Sequence, residues 1–345
     1  MKTKRINLAL QGGGAHGAFT WGVLDRLLQE EWLEIAGVSG TSAGALNAAV
    51  LKEGLSRGKR SEARAMLDAL WSRVAGVQDY RLSRWMEAMF PVPRPMQRLA
   101  QAFSPASWMD ALTRVFSPYD SGPFYINPLA SIVEEFDFAR ITCAEGPQLY
   151  VSATNVRTGK IRVFSGKEIS PEVLMASACL PNVFRAVELI DPATGQLEAY
   201  WDGGFSGNPA LFPLFGMDLP PDILLVNINP LRREEVPQTP SEIEDRVNEI
   251  SFNASILREL RAINFVKRLI ADGKIAPGAM KDVLVHLVAD DALMIRMGVA
   301  TKLMADRELM GQMKLAGQAA ADTFLNRHAD DINERSTVNL TTMFS

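Results

Sequence analysis

Residues 5–17 read RINLALQGGGAHG, a short apolar run followed directly by a cluster of glycines. The run at 5–10 predicts a buried strand, and apolar residues at helical spacing in 17–31 predict a helix. Residues 35–39 predict a second strand, and the small residues of 43–55 predict a second helix. Strand–helix–strand–helix order is typical of a parallel sheet with helices on its faces, so this stretch indicates an α/β fold.

The composition narrows the class of protein. The chain has 345 residues, 47% of them hydrophobic, and a net charge of -4, which does not favour nucleic-acid binding. Two cysteines, Cys143 and Cys179, make neither a disulfide framework nor a metal cluster. Because no apolar stretch is long enough for a signal peptide or a membrane span, we expect a cytoplasmic protein. No carboxylate loop has calcium-ligand spacing, and we expect no metal or organic cofactor.

Residues 57–116 differ from their surroundings. They contain ten Arg or Lys against five Asp or Glu, three of the six tryptophans, and apolar helical patterns broken by prolines. We interpret them as a helical insertion, either a cap on the sheet or an interfacial surface that contacts the inner face of a membrane peripherally. Further strand patterns lie at 148–154, 161–165, 223–228 and 283–288, and helical patterns at about 240–271 and 304–327.

The pentapeptide Gly40-Thr41-Ser42-Ala43-Gly44 matches the G-x-S-x-G nucleophile elbow. Such an elbow turns sharply from a strand into a helix, and the flanking glycines remove clashes so that the serine projects alone. By itself the pentapeptide is more often a structural turn. Here an apolar strand precedes it and an Ala-rich helix follows, as the chemistry requires.

The glycine cluster has two interpretations. Its consecutive glycines predict an anion-binding nest of backbone N–H groups, which in a serine hydrolase is an oxyanion hole. The spacing Gly12-x-Gly14-x-x-Gly17 also fits a dinucleotide fingerprint. That alternative needs an acidic residue at the end of the second strand, where the serine elbow stands instead; the nearest acid, Glu34, lies at the start of that strand.

A serine nucleophile needs a proton acceptor. The chain has three histidines, and a Ser–acid–His triad would use His286 or His328. His286 lies in an apolar strand pattern typical of a core histidine, and His328 ends a helix. Asp202, in YWDGG at 200–204, is the better candidate, with Trp201 expected to desolvate the carboxylate and raise its pKa. An Asp-Gly-Gly taken alone is usually a turn.

Taken together, these motifs resemble the patatin-like phospholipase family. The glycine loop, the elbow and Asp202-Gly203-Gly204 occur in matching order, and supporting stretches lie at 127–129, 152–155, 176–181 and 208–209. The resemblance covers about residues 5–215. It implies a three-layer α/β/α fold with a mostly parallel central sheet. We expect 5–215 to form the catalytic core with the insertion at about 57–125, and 216–345 to complete or flank the same domain.

The resemblance also implies a Ser–Asp dyad that hydrolyses lipid acyl esters through an acyl-enzyme. Ser42 is then the nucleophile and Asp202 the base, and Gly12, Gly13, Gly14, His16 and Gly17 form the oxyanion loop. Gly40 and Gly44 flank the nucleophile, and Gly203 and Gly204 follow the base. Two other functions remain open: an esterase or thioesterase for short or polymeric hydroxy-acid esters, and a non-catalytic lipid-binding protein. The oligomeric state is not predicted.

One residue departs from the family pattern. His16 stands where the family commonly has Arg or Lys, so a fixed positive charge becomes a titratable one with an ordinary pKa of about 6.5. One hypothesis is that His16 tunes anion affinity with pH. The alternative is that it only packs between the loop and the helix.

Overall fold

The computed structural model describes residues 2–77, 117–120, 125, 127–276, 278–298, 300–303 and 306–344. Of the predicted helical insertion, the part up to Val77 is described and is helical. Residues 78–116 lie outside the described residues. The membrane contact predicted for 57–116 therefore stays a prediction.

The first 77 residues form two strands and three helices in the predicted order: β1 (Lys4–Leu10), α1 (Gly17–Leu27), β2 (Leu33–Thr41), α2 (Ala43–Ser56) and α3 (Arg60–Val77). Residues 6–10 of β1 and 35–41 of β2 are buried without interruption. Unbroken burial is typical of central parallel strands that helices cover on both faces, which explains their apolar sequences.

The remaining elements include all four strands predicted downstream and both long helices. They are α4 (Ala130–Val133), α5 (Phe138–Ile141), β3 (Gln148–Asn155), β4 (Ile161–Ser165), α6 (Pro171–Ser177), β5 (Val187–Ile190), β6 (Leu197–Asp202), β7 (Asp222–Asn227), α7 (Pro240–Ala271), β8 (Leu284–Ala289), α8 (Asp291–Met297), α9 (Arg307–His328) and α10 (Leu340–Met343). The sequence patterns did not predict β5 and β6, and β6 carries Asp202.

The strands form one mixed sheet in the order β5–β6–β3–β2–β1–β7–β8, with β4 also paired to β3. The pairs among β3, β2, β1, β7 and β8 are parallel, whereas β4, β5 and β6 pair antiparallel. The strands β7 and β8 come from beyond residue 215 and lie in the same sheet.

Helices cover both faces of this sheet. On β7, Leu224 and Val226 join a core that includes residues of α1, α2, α3 and α9. The alternate residues Ile223 and Leu225 join a second core, which residues of α7 cover. Alternation of side chains along the strand separates the two cores. The three-layer α/β/α prediction is confirmed. No helix among the described residues is long and apolar enough to cross a membrane.

Candidate active site

Ser42 is the single residue between β2 and α2. Its φ of 56° and ψ of -125° lie in a region that a non-glycine residue rarely adopts. A Cβ on Gly40 would lie 2.5 Å from the Gly44 carbonyl oxygen, and one on Gly44 would lie 2.2 Å from the Leu10 carbonyl oxygen. The two glycines are therefore required for this turn, and they bring the first turn of α2 against the end of β1.

The glycine loop lies directly against the elbow. A Cβ on Gly12 would lie 2.7 Å from Ser42 Cβ. The Gly12 amide donates to Asn208 Oδ1 at 2.7 Å, so it is not free to bind an anion. Among the described residues, no hydrogen bond is donated by the amide of Gly13 or Gly14. These two N–H groups are therefore available to donate to an anion.

Gly17 has a different place. It is the first residue of α1, and a Cβ there would lie 2.7 Å from Ala43 Cβ and 2.9 Å from the Trp71 ring. Its contacts are with packed side chains of α2 and α3. The absence of a side chain at Gly17 lets α1 approach the start of α2 closely.

Strand β3 aligns Asp202 with the elbow. Thr41, the last residue of β2, pairs with Ser152 of β3, and Asp202 pairs with the next residue, Ala153. Because β4 pairs along one edge of β3, β2 and β6 share the opposite edge, and β6 pairs with β3 just beyond the point where β2 ends. A Cβ on Gly203 would lie 2.3 Å from the Ser152 carbonyl oxygen. Strand register therefore brings Asp202 next to the residue that follows Thr41.

Asp202 is fully buried and incompletely bonded. Its Oδ1 accepts from the Gly204 amide at 2.7 Å, whereas its Oδ2 has no hydrogen bond of full geometry. Burial raises the pKa of Asp202 to about 6, and the Gly204 amide, the Ser42 hydroxyl and Lys302 oppose that rise. The Ser42 hydroxyl is therefore a close neighbour of this carboxylate and favours its ionised form.

Strand geometry argues against the desolvating role expected for Trp201, which stays a prediction. Trp201 is the residue before Asp202 in β6, and consecutive strand residues point to opposite faces of a sheet. The expectation for Trp201 followed from interpreting residues 200–204 as a turn, whereas residues 197–202 form a strand. The Phe252 ring lies beside Gly204, within 2.5 Å of where a Cβ would stand.

Several neighbours of the elbow were missed by the sequence analysis. The Ser177 hydroxyl accepts from the Ser42 amide at 2.9 Å and donates to the Ser152 carbonyl at 2.7 Å. The Thr154 hydroxyl donates to the Asp202 carbonyl at 2.8 Å. Ser177 and Thr154 lie within the stretches 176–181 and 152–155, which carried the family resemblance, so that signal existed without a role attached to it.

His16 lies in a short 3-10 turn after the glycines and is almost completely buried. Its Nε2 lies 2.7 Å from the Thr301 hydroxyl, and its Nδ1 has no hydrogen-bond partner. Burial, assisted by the charge of Lys302, lowers its pKa to about 3. The lowered pKa argues against the hypothesis that His16 titrates near neutral pH, because burial and a nearby ammonium both disfavour the charged imidazole.

Neither remaining histidine faces Ser42. His286, in β8, has Nε2 at 2.8 Å from Asp222 Oδ1 and Nδ1 at 3.2 Å from the Thr337 hydroxyl. It is the core histidine that the apolar strand pattern favoured. His328 ends α9 and pairs with Asp331 at 2.8 Å. Both rings are held by local partners, which argues against a triad.

The described residues offer little to the other chemistries considered. Within them, no group of three or more His, Cys, Asp or Glu side chains is arranged to hold a metal ion. The acid that a dinucleotide site would need is also misplaced, because Glu34 is exposed at the start of β2 and pairs with Arg5 at 2.9 Å.

Comparison with known proteins completes the description. VipD from Legionella pneumophila shares 15% identity with a TM-score of 0.42, over 94% of this chain and 67% of that one. ExoU from Pseudomonas aeruginosa, solved with SpcU, shares 14% identity with a TM-score of 0.29, over 98% of this chain and 75% of that one. No curated protein matches. The sequence model of patatin-like phospholipases matches residues 8–215. Since this match spans more than half of the chain, the protein belongs to the patatin-like phospholipase family.

Proposed function

We propose that this protein is a serine lipid acyl hydrolase in which Ser42 is the nucleophile and Asp202 is its base. One observation carries the proposal: a fully buried carboxylate with an unsatisfied oxygen interacts with the hydroxyl of a serine on a strained elbow. Membership of a phospholipase family supports lipid esters as the substrate class. A carboxylate with a raised pKa is suited to accept a proton near neutral pH.

Acylation would begin with proton transfer from the Ser42 hydroxyl to Asp202. The Ser42 oxygen attacks the carbonyl carbon of the ester, and the carbonyl oxygen becomes an oxyanion. The free N–H groups of Gly13 and Gly14 donate to that oxyanion, assisted by the start of α2. The intermediate then collapses, the alcohol leaves with the proton from Asp202, and the acyl group stays on Ser42.

Deacylation repeats these steps with water. Asp202 takes a proton from a water molecule, which attacks the acyl-enzyme carbonyl, and a second oxyanion forms at the same amides. Collapse of this intermediate releases the fatty acid and returns the proton to Ser42. Because Asp202 must be ionised in both halves, kcat/KM is expected to fall as the pH drops through about 6.

The test is hydrolysis of a phosphatidylcholine and its lysophospholipid, together with labelling by a fluorophosphonate. Ser42→Ala is expected to abolish both the labelling and the hydrolysis. Ser56→Ala is the matched control, because Ser56 is a buried serine at the other end of α2 that donates only to the Glu53 carbonyl. Retention of both signals in Ser42→Ala would refute the proposal.

Two further outcomes separate the alternatives. If the wild type is labelled but cleaves only short-chain nitrophenyl esters, the substrate class is that of an esterase. If the wild type binds lipid vesicles without labelling or hydrolysis, the chain is a lipid-binding protein. Either result would contradict the proposal as stated.

A further inference from the structure

Lys302 brings a positive charge to the catalytic end of the sheet from outside the family match. The residue is half-buried overall, but its ammonium end lies deep among protein atoms. Nζ donates to Asn229 Oδ1 at 2.7 Å and to Asn248 Oδ1 at 2.9 Å, and lies 5.3 Å from the centre of the Phe252 ring. Both acceptors are neutral, and within the described residues no carboxylate bonds this ammonium directly.

Lys302 is also built into the glycine loop. A Cβ on Gly14 would lie 2.2 Å from the Lys302 carbonyl oxygen and 3.4 Å from Lys302 Cβ, so the two backbones are in contact. The Asn229 side chain that accepts from Lys302 donates to the Gly12 carbonyl at 3.0 Å. Lys302 therefore contacts the loop directly at Gly14 and through one amide at Gly12.

Three carboxylates interact electrostatically with this ammonium. They are Glu249 and Asp245 of α7 and Asp202 at the end of β6. Glu249 is already paired with Arg233 at 2.6 Å and with Arg246 at 3.1 Å.

Among the described residues, a single cation influences the Asp202 carboxylate. Lys302 is the only cation of the described chain that lowers the pKa of Asp202. His16, in the 3-10 turn, faces the same ammonium and is uncharged. Whatever positive charge reaches Asp202 within the described residues therefore comes from Lys302.

We propose that Lys302 is a positioning residue of the active site. It holds the glycine loop and supplies a positive charge that stabilises first the ionised Asp202 and then the oxyanion. This inference rests on the proposed Ser42–Asp202 mechanism. The pocket carries one negative charge throughout acylation, first on Asp202 and then on the oxyanion. A buried ammonium stabilises the ionised Asp202 of the free enzyme and then stabilises the oxyanion once Asp202 has taken the serine proton, without contacting the reacting atoms.

This arrangement makes the pH profile depend on Lys302. Burial lowers the pKa of Lys302 to about 8. The wild-type kcat/KM should therefore rise as Asp202 ionises near pH 6. It should fall as Lys302 loses its proton near pH 8, because the oxyanion then loses the stabilising charge. A lysine with a merely structural role would produce no such basic limb.

The test is the pH profile of kcat/KM between pH 5 and 10 for wild type, Lys302→Met and Lys302→Arg. In Lys302→Met the acid limb should move up by about one pH unit, which at pH 6 is roughly a fivefold loss, and the basic limb should vanish. In Lys302→Arg the acid limb should stay and the basic limb should move beyond about pH 10, because arginine keeps its charge.

Lys281→Met is the matched control. Lys281 is half-buried and donates only to backbone carbonyls, at Gly216, Leu219 and Pro220. Its removal should leave both limbs in place.

The outcomes distinguish this inference from the function on which it rests. Absence of Ser42-dependent hydrolysis in the wild type would refute the proposed function itself. With that hydrolysis present, a uniform loss in Lys302→Met with unmoved limbs would refute the role of the charge. If Lys302→Met fails to fold, a wild-type profile that stays flat from pH 7 to 10 would refute it equally.

Discussion

Asp202 and Asp222 are both completely buried aspartates at strand ends of one sheet, yet their surroundings differ. Asp222 begins β7, and its carboxylate has His286 Nε2 at 2.8 Å and accepts from the Asn333 amide and from Asn333 Nδ2, each also at 2.8 Å. Asp202 ends β6 and accepts one amide, with its second oxygen unsatisfied. Burial alone therefore does not distinguish a structural carboxylate from a candidate base; the number of fixed donors does.

The Asp202 and Asp222 regions also differ in how they accommodate a residue with positive φ. Ser42 and Asn333 are the two non-glycine residues with positive φ in the described chain, at 56° and 64°. Asparagine tolerates the left-handed region, and Asn333 uses its side chain to bond Arg5 and Asp222. Serine does not share asparagine's tolerance of positive φ. The Ser42 hydroxyl also makes no comparable structural hydrogen bonds, since it faces an incompletely bonded carboxylate. The Asp222 region is satisfied throughout, whereas the Asp202 region retains strain and unmet bonding capacity, as is typical of reactive sites.

The largest difference should appear in activity. Asp202→Asn keeps the shape but cannot accept the serine proton, so kcat/KM should fall by about 10³-fold or more. Asp222→Asn, assayed at a temperature where it remains folded, should stay within about twofold of wild type. Comparable losses in the two variants, measured on a Ser42-dependent substrate, would remove the functional contrast.

Replacing Asp202 should lower activity but raise the free energy of unfolding. Its folded pKa of about 6 exceeds the ordinary 3.8, so ionisation above pH 6 destabilises the folded state, and below pH 3.8 there is no such cost. Asp202→Asn should therefore raise the free energy of unfolding by up to about 3 kcal/mol at pH 8 and hardly at all at pH 4. Urea denaturation at both pH values checks this, and an equal change at both would contradict it.

The Asp222 cluster should lose stability when its carboxylate is replaced. Asp222→Asn leaves donors of His286 and Asn333 competing for one oxygen, which should lower the free energy of unfolding by roughly 2 kcal/mol. The exposed Glu334→Gln is the control for removing one negative charge nearby, and little change is expected there. An unchanged denaturation midpoint in Asp222→Asn would show that the cluster contributes less than its hydrogen bonds suggest.

The smallest effect concerns backbone strain. Ser42→Gly relieves the positive φ at some cost in unfolded-state entropy, so a net gain of about 1 kcal/mol is expected, with loss of activity. Asn333→Gly should instead destabilise, because it removes the hydrogen bonds to Arg5 and Asp222. If both variants shift the thermal midpoint in the same direction, strain does not distinguish the two residues.

Particular elements show how far the sequence sufficed for the fold. The central strands and main helices were predicted because their burial leaves unbroken or periodic apolar patterns, as in 5–10 and 240–271. Strands β5 and β6 were missed because they are short, antiparallel and only partly buried, so their patterns are irregular. Residues 200–204 consequently looked like a turn, and the role expected for Trp201 rested on that interpretation.

The candidate site was predictable only in part. Ser42 and its flanking glycines lie within one contiguous motif, since the elbow is a local conformation that the glycines make possible. Lys302 carries no comparable signal, because a lone lysine most often predicts a solvated side chain. Its proximity to Gly14 depends on chain that follows β8, about 290 residues from the loop it contacts.

The sequence by itself determined the parallel strand–helix order, the strained elbow and the glycine loop, because each depends on residues close together in the chain. Only the tertiary structure decided the charges around them: that β3 aligns Asp202 with Ser42, that burial keeps His16 neutral, and that Lys302 supplies the nearby cation. Electrostatic environment is set by what surrounds a group in space, and these neighbours come from distant parts of the chain.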